Sequence, residues 1–265
     1  MPELPEVQTV INGLIKTVVG KEISSLLEHR YGTVIWHCDN VVFGAISSIS
    51  RRGKYIIIYT DNNYKIVIHL RMTGKLIFEQ NSNISTKHTR AEILFSDNTK
   101  LLFNDVRTFG KIEIFESDET VKALENLGIE PLSEDFNPEY LKKKLSNKTA
   151  PIKNALLDQR IIAGLGNIYV CELLFRAKID PCIESKKIKM GQLEKIVRET
   201  KIVLKEAIKH NGTTISDYRN VDDKTGEFQN FLNVYSKKKC KCGSEILRIK
   251  QAGRSTYYCP KCQLS

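Results

Sequence analysis

Met1-Pro2-Glu3-Leu4-Pro5-Glu6 opens the chain, and how this stretch is read decides the rest. Removal of Met1, which a small second residue favours, leaves the secondary amine of Pro2 at the chain start. Such an amine has an accessible lone pair and can attack an electrophilic carbon to give an iminium intermediate. An α-amino group titrates at about 7.7–8.0, so much of it is neutral near physiological pH. Glu3 beside it is a carboxyl group suited to general acid or base work. Behind this opening, Val7, Val10, Ile11, Leu14, Ile15 and Val18 recur at helical spacing, with Pro5 in the first turn and Gly20 past the end. The pattern predicts an amphipathic helix. The positive end of that helix would lie at Pro2 and disfavour its ammonium form. Pro and Glu are also common helix-start residues, so the opening alone supports a plain helix start equally well.

At 265 residues the chain has room for two domains. Lys and Arg number 41 against 31 Asp and Glu, a net charge of +10 that suits a polyanion such as nucleic acid or an anionic membrane. No apolar run reaches the ~18 residues needed to span a bilayer, and the N-terminus lacks a signal-peptide pattern, so a soluble intracellular protein is expected. Seven cysteines are present, four of them in Cys240-Lys241-Cys242 and Cys259-Pro260-Lys261-Cys262. In a reducing compartment such a cluster reads as metal ligands rather than disulfides. Four thiolates can hold one tetrahedral structural zinc and stabilise a hairpin too small to fold on its own core. Cys38, Cys171 and Cys182 are scattered and read as packing residues.

From residue 21 to about 116 the chain is a series of short β-rich runs: Val41–Ile49, Tyr55–Thr60, Lys65–Leu70, Lys75–Phe78, Arg90–Phe95, Lys100–Asn104 and Lys111–Phe115. Turn residues separate them, and the regular spacing predicts a β-sandwich. Glu119–Leu127 reads as a short helix, and Pro131 to Pro138 as a junction. Helical patterns then cover Pro138 to about Leu145, Ala150–Asp158, Asn167–Ala177 and about Gly191 to Lys209; residues 213–230 are polar and irregular, and Lys237–Cys262 is a Cys-rich hairpin. The expected class is α+β: a sandwich domain over 1–130, a helical domain over 131–230, and a metal hairpin over 231–265.

Several motifs in this order resemble the formamidopyrimidine-DNA glycosylases, bacterial enzymes that excise oxidised purines. The resemblance runs almost end to end. It rests on the opening six residues and on Arg51-Arg52-Gly53-Lys54, His69-Leu70-Arg71-Met72-Thr73-Gly74, Asp105-Val106-Arg107-Thr108-Phe109-Gly110, Gly164-Leu165-Gly166-Asn167-Ile168-Tyr169 and Gly253-Arg254-Ser255-Thr256-Tyr257-Tyr258 with the final cysteine pair. It implies a helix–two-turns–helix element in the second domain and a zinc finger at the end. It further implies that Pro2 attacks the sugar carbon bearing the damaged base while Glu3 protonates the sugar to open its ring. Lys54 would contact the target phosphates and donate a proton in the first elimination, and Arg254 would bind phosphate and assist the second. Met72, Arg107 and Phe109 would fill the gap left by an extruded nucleotide, since an enzyme acting on a stacked base must take it out of the duplex. His69 and His88 would lie along the DNA backbone, Asn167 would grip a phosphate at a helix start, and Lys153 and Lys148 would add positive charge. Residues 213–230 resemble the loop that closes over the extruded base.

Two positions depart from the family pattern. The first knuckle is Cys-x-Cys instead of Cys-x-x-Cys, which tightens the turn needed for both sulfurs to reach one ion. Cys171 stands where relatives carry a small or acidic residue. The expectation is a bifunctional glycosylase and abasic-site lyase, monomeric and cytoplasmic, acting on damaged double-stranded DNA without a membrane partner. A rival within the fold is an endonuclease VIII-like enzyme for oxidised pyrimidines, which opens Pro-Glu-Gly-Pro-Glu; Leu4 favours the purine branch. A rival of another class is a non-catalytic zinc-ribbon protein, which explains charge and cysteines but leaves Pro2, Glu3, Lys54 and Arg254 as coincidence.

Overall fold

The protein is described by a computed structural model over residues 1–80, 86–213 and 226–264. The chain forms two compact units, Met1–Val121 with His210–Glu227, and Lys122–Lys209 with Phe228–Ser265.

In the first unit, α1 (Leu4–Val18) begins with a capping box. The Glu3 side chain accepts from the Glu6 N–H, and Glu6 Oε2 accepts from the Glu3 N–H at 2.9 Å. Two of the helix's orphan donors are thereby satisfied by the opening motif itself. Leu4, Val7, Val10, Ile11, Leu14 and Val18 form the buried face. Ile15, expected on that face, is 46% exposed, because it lies at the edge of the apolar stripe. Gly20 supplies the left-handed turn that follows, at φ 85°.

Two antiparallel-rich sheets pack on α1. The first has the order β1 (Ile23–Glu28), β7 (Thr89–Phe95), β8 (Lys100–Asp105), β6 (Gly74–Glu79). The second runs β2 (Val34–Trp36), β9 (Lys111–Glu116), β5 (Tyr64–His69), β4 (Tyr55–Thr60), β3 (Ile46–Arg52). Alternate residues of the central strands, Ile56, Ile58, Ile66, Ile68, Ile112 and Ile114, meet Ile93, Leu101 and Phe103 and the α1 face in one core. This is the expected sandwich with a flanking helix.

Some element boundaries differ from the sequence reading. β3 starts at Ile46, not at Val41, because Gly44 and Ala45 donate their N–H groups to the Asn62 and Asp61 side chains and stay in a loop. β1 and β2 carry no clean apolar alternation; both are held as edge strands by β7 and β9. The helix expected over Glu119–Leu127 is reduced to α2 (Lys122–Glu125). Buried Lys65 draws the carbonyls of Ser117 and Glu119 to its ammonium group, which removes them from a helical ladder.

The register puts one end of the sandwich to use. Tyr55 pairs with His69, and His69 with Lys111; Gly74 pairs with Asp105, and Thr89 with Asn104. The turn at Gly53-Lys54, the loops at 70–73 and 106–110, and the lead into β7 at His88 therefore all lie at the same end of the two sheets.

The second unit is helical. Asn137 caps α3 (Pro138–Leu145) by accepting from the Tyr140 N–H at 2.8 Å. α4 (Ile152–Leu156) is shorter at both ends than the 150–158 pattern. α5 (Asn167–Ala177) packs along α6 (Met190–Lys209), tied by Arg176 and Glu206 at 2.7 Å. Glu172 on α5 is fully buried and accepts from the N–H groups of Asn233, Val234 and Tyr235 and from the Asn233 side chain, all within 3.0 Å. Four donors of this kind are what a buried carboxylate needs. They fasten the segment before the last hairpin, β10 (Leu247–Gln251) and β11 (Arg254–Tyr258). The hairpin turn is Ala252-Gly253, both at positive φ, as a two-residue turn between twisted strands requires. Cys171 is buried in a small core with Val234, Cys240, Ile246 and Cys259. Cys38 is half-buried; Cys182, read as a packing residue, is exposed.

Candidate active site and nucleic-acid interface

Pro2 and Glu3 are both buried, at the positive end of α1. Glu6 holds this start from two sides. While Oε2 caps Glu3, Oε1 accepts from the Thr213 N–H at 2.8 Å and the Thr213 hydroxyl at 3.0 Å. Gly212 packs so closely on this carboxylate that a Cβ there would meet Glu6 Oε1 at 2.8 Å. Of the loop expected over 213–230, residues 214–225 lie outside the described residues; at its two ends Glu227 donates to the His210 carbonyl at 3.0 Å. Arg51 donates to Gln8 on α1 at 3.0 Å and to the Gly53 carbonyl at 2.9 Å, which brings the helix alongside the Arg52-Gly53-Lys54 turn.

Lys54 is buried at that turn, and His69 is buried beside it. His69 Nδ1 accepts from the Arg71 N–H at 2.9 Å, so the ring proton sits on Nε2. Burial pushes the imidazole pKa down to about 3, and the cations of Arg71 and Lys54 push in the same direction. His69 is thus a neutral donor surrounded by positive charge. His88 is half-buried at the start of β7.

Met72 and Phe109 are large apolar side chains outside the core. They are 44% and 51% exposed, at the tips of the 70–73 and 106–110 loops, and do not join the core. The exposed Arg107 guanidinium lies 5.2 Å from the Phe109 ring centroid. Arg71 and Thr108 sit in the left-handed region at φ 52° and 61°, strain that for a β-branched residue such as Thr108 costs about 1–3 kcal/mol. The sandwich end thus gathers Lys54, His69, Met72, His88, Arg107 and Phe109.

In the second unit Gly164, at φ 83°, and Gly166 lead into α5, whose first residue is Asn167. Gln159 fixes this approach, accepting from the Gly164 N–H at 2.9 Å and donating to the Leu165 carbonyl at 2.8 Å. The Asn167 amide donates to the Ser255 carbonyl at 2.8 Å, which sets the helix start next to exposed Arg254 on β11. Lys148 is half-buried after α3, whereas Lys153 in α4 is fully buried, so its ammonium is not a surface charge. Glu6, Gln159, Glu172 and Asp105 had no assigned role in the sequence reading. Two of them left local signals: Glu6 stands three residues after the helix cap, and Asp105 stands two residues before Arg107 and accepts its N–H as in an Asx turn.

The four hairpin cysteines converge. All their Sγ atoms lie within 4.8 Å of one another, with Cys240–Cys262 at 3.8 Å and Cys242–Cys259 at 3.6 Å. Four thiolates around zinc at ~2.3 Å stand about 3.8 Å apart, so the set fits one structural zinc. The short Cys-x-Cys knuckle closes because Gly243, at φ 88°, donates to the Cys240 carbonyl at 2.9 Å while the Cys240 N–H donates to the Ser244 carbonyl. With all four positions taken by sulfur, the ion would supply rigidity and no open site for chemistry.

A sandwich opening on a buried proline, a helix–two-turns–helix unit and a four-cysteine hairpin define a DNA glycosylase architecture. Residues 1–112 match the formamidopyrimidine-DNA glycosylase N-terminal domain, 127–219 the formamidopyrimidine-DNA glycosylase H2TH domain, and 237–264 the zinc finger found in FPG and IleRS. The chain is 41% identical over 270 residues to the formamidopyrimidine-DNA glycosylase of Wolbachia sp. subsp. Drosophila simulans, covering 99% of this chain and 100% of that one. It is 40% identical over 275 residues to that of Bacillus cereus, covering 99% of each. Among solved structures, a variant Lactococcus lactis FPG bound to Fapy-dG DNA superposes with a TM-score of 0.90 at 36% identity over all of both chains. MutM (FPG) from Thermus thermophilus gives 0.89 at 34% identity over 99% of this chain and 98% of that one. The chain belongs to the formamidopyrimidine-DNA glycosylase family, the DNA glycosylase/AP lyases of base excision repair.

Two outcomes follow from the geometry. Metal analysis of the purified chain should find about one zinc per molecule, and Cys240→Ser should lower that occupancy and the thermal midpoint together; a folded, metal-free preparation would contradict the site. His69 is held neutral when folded, while in the unfolded chain it titrates near 6.5. The unfolded state therefore takes up the proton first, and stability is lost as pH falls from about 6.5 toward about 3. In the folded protein the His69 imidazole resonances should stay unchanged between pH 8 and about 5; a midpoint near 6.5 would refute the assignment.

Proposed function

We propose that this chain removes oxidised purines, 8-oxoguanine and formamidopyrimidines, from double-stranded DNA and then cuts the strand at the resulting site. The observation that carries the reading is the buried Pro2 at the positive end of α1, with Glu3 next to it and Glu6 holding the Glu3 N–H and Thr213. After loss of Met1 the Pro2 nitrogen donates its lone pair to the sugar carbon, and the bond to the damaged base breaks with its electrons leaving on the base. The Pro2 nitrogen passes its N–H proton to the departing base, and Glu3 gives a proton to the ring oxygen as the sugar opens, leaving an iminium on Pro2. The iminium acidifies the neighbouring sugar proton, whose loss expels the 3′ phosphate in the first elimination, with Lys54 as proton donor. Arg254 holds phosphate and assists the second elimination, which releases the sugar fragment from the 5′ phosphate.

Met72, Arg107 and Phe109 fit a wedge that supports the strand once a nucleotide is extruded: two exposed apolar side chains and a cation at one end of a rigid sandwich. Neutral His69, His88, Lys148 and Asn167 serve as phosphate partners in this reading, and Lys153 acts from within the helical unit. The working parts are the sandwich over 1–130, the helical segment over 131–230 and the zinc hairpin over 231–265, active as a monomer in the bacterial cytoplasm on nucleoid DNA. Among the described residues no helix is long and apolar enough to cross a membrane.

The Lactococcus lactis relative has been solved with Fapy-dG, abasic-site and oxidised-pyrimidine DNA. Leu4 in the opening favours the purine branch for this chain. Pro2→Gly should bind lesion duplex at close to wild-type affinity while base excision falls by about 100-fold or more, as expected when the ring-held secondary amine is replaced by a more mobile primary amine. Excision at the wild-type rate would overturn the assignment of Pro2.

A further inference from the structure

The loops that carry Met72 and Phe109 converge on one side chain. Asp105, the last residue of β8, is 1% exposed. Its Oδ1 accepts from the Thr73 hydroxyl and from the Arg107 N–H at 3.1 Å, and its Oδ2 accepts from the Gly110 N–H at 2.7 Å. Thr73 Oγ1 in turn accepts from the Arg107 N–H at 3.0 Å, which joins the two loops directly. The Asp105 main chain takes in a third segment: its N–H donates to the His88 carbonyl at 3.0 Å, and its carbonyl accepts from Arg90 Nε at 2.8 Å.

We infer that Asp105 is the positioning residue of the wedge, the group that sets Met72, Arg107 and Phe109 in one rigid arrangement so that a nucleotide can be extruded at full rate. The inference rests on the reading that these three side chains enter the duplex. Both carboxylate oxygens are needed because each faces a backbone N–H on a different side of the 106–110 loop, and Oδ1 also reaches across to Thr73. Hydrogen bonds to an ionised acceptor are stronger than neutral ones, and they hold a loop whose Thr108 sits in an unfavourable left-handed conformation. The glycines that close the loops leave no slack. A Cβ at Gly74 would come within 2.4 Å of the Leu70 carbonyl oxygen, and one at Gly110 within 2.4 Å of the Phe103 ring. An asparagine at 105 would offer one acceptor and turn its NH2 against a second donor, releasing one side of the 106–110 loop.

The test uses full-length protein and duplex DNA with 2-aminopurine beside 8-oxoguanine, whose fluorescence rises as stacking is lost. At saturating enzyme, Asp105→Asn should slow that rise about tenfold and Thr73→Val about threefold, as expected for lost charge-assisted and single hydrogen bonds. Strand cleavage at an abasic site with no base opposite should stay within about twofold of wild type, because no base need be unstacked or unpaired there. The double variant Met72→Ala/Phe109→Ala checks the underlying reading separately: an unchanged rise would remove the wedge itself. A slowed rise in that double variant, with Asp105→Asn and Thr73→Val both at the wild-type rate, would overturn the role of Asp105 alone. Equal loss of the rise and of abasic-site cleavage would mean general damage and would also overturn it. Should Asp105→Asn fail to fold, Thr73→Val, which leaves the carboxylate in place, decides the matter.

Discussion

One buried carboxylate governs the chain start. The N-terminal amine proposed as the nucleophile is useful only if it is immobile, and chain ends are otherwise the least ordered part of a domain. Glu6 solves this by accepting from the Glu3 N–H through one oxygen and from Thr213 through the other. Because Glu6 is 2% exposed, its charge is tolerable only with those donors in place. The capping box at the start of α1 depends on this arrangement. The partial positive charge at the start of α1 also favours a neutral Pro2 amine over an ammonium in the proposed mechanism.

The sandwich does the corresponding work for the proposed DNA contacts. Strand register delivers the turns bearing Lys54, Met72, His88, Arg107 and Phe109 to one end of two sheets that share a single core. Loops on such a scaffold place side chains reproducibly, provided their own backbone is fixed, and here a carboxylate and close-packed glycines fix it. In the helical unit the same logic appears in Gln159 and Glu172, which spend their polar atoms on main-chain groups at 164–165 and 233–235. The zinc hairpin is stitched to α5 through Asn167 and Ser255, so metal and helix support one another.

Local chemistry was readable in the chain. The apolar period of α1 and the cluster of four hairpin cysteines follow from spacing alone, and each is found where expected. What escaped the sequence is long-range pairing. Thr213 meets Glu6 across 207 positions, Thr73 meets Asp105 across 32, and three-residue β2 exists only because β9 lies beside it. Lys153 reads as a surface cation by residue type, yet packing buries it completely. Ile15 and Cys182, both apolar by type, face solvent, the one at the edge of its helix stripe and the other in a turn.

The most direct measurement is borohydride trapping of the Met1-processed protein on duplex DNA carrying 8-oxoguanine opposite cytosine, followed by peptide mapping of the adduct. The account predicts a covalent complex whose cross-link maps to Pro2. Binding to that duplex, and to one with an abasic site, with no trapped complex on either would contradict it.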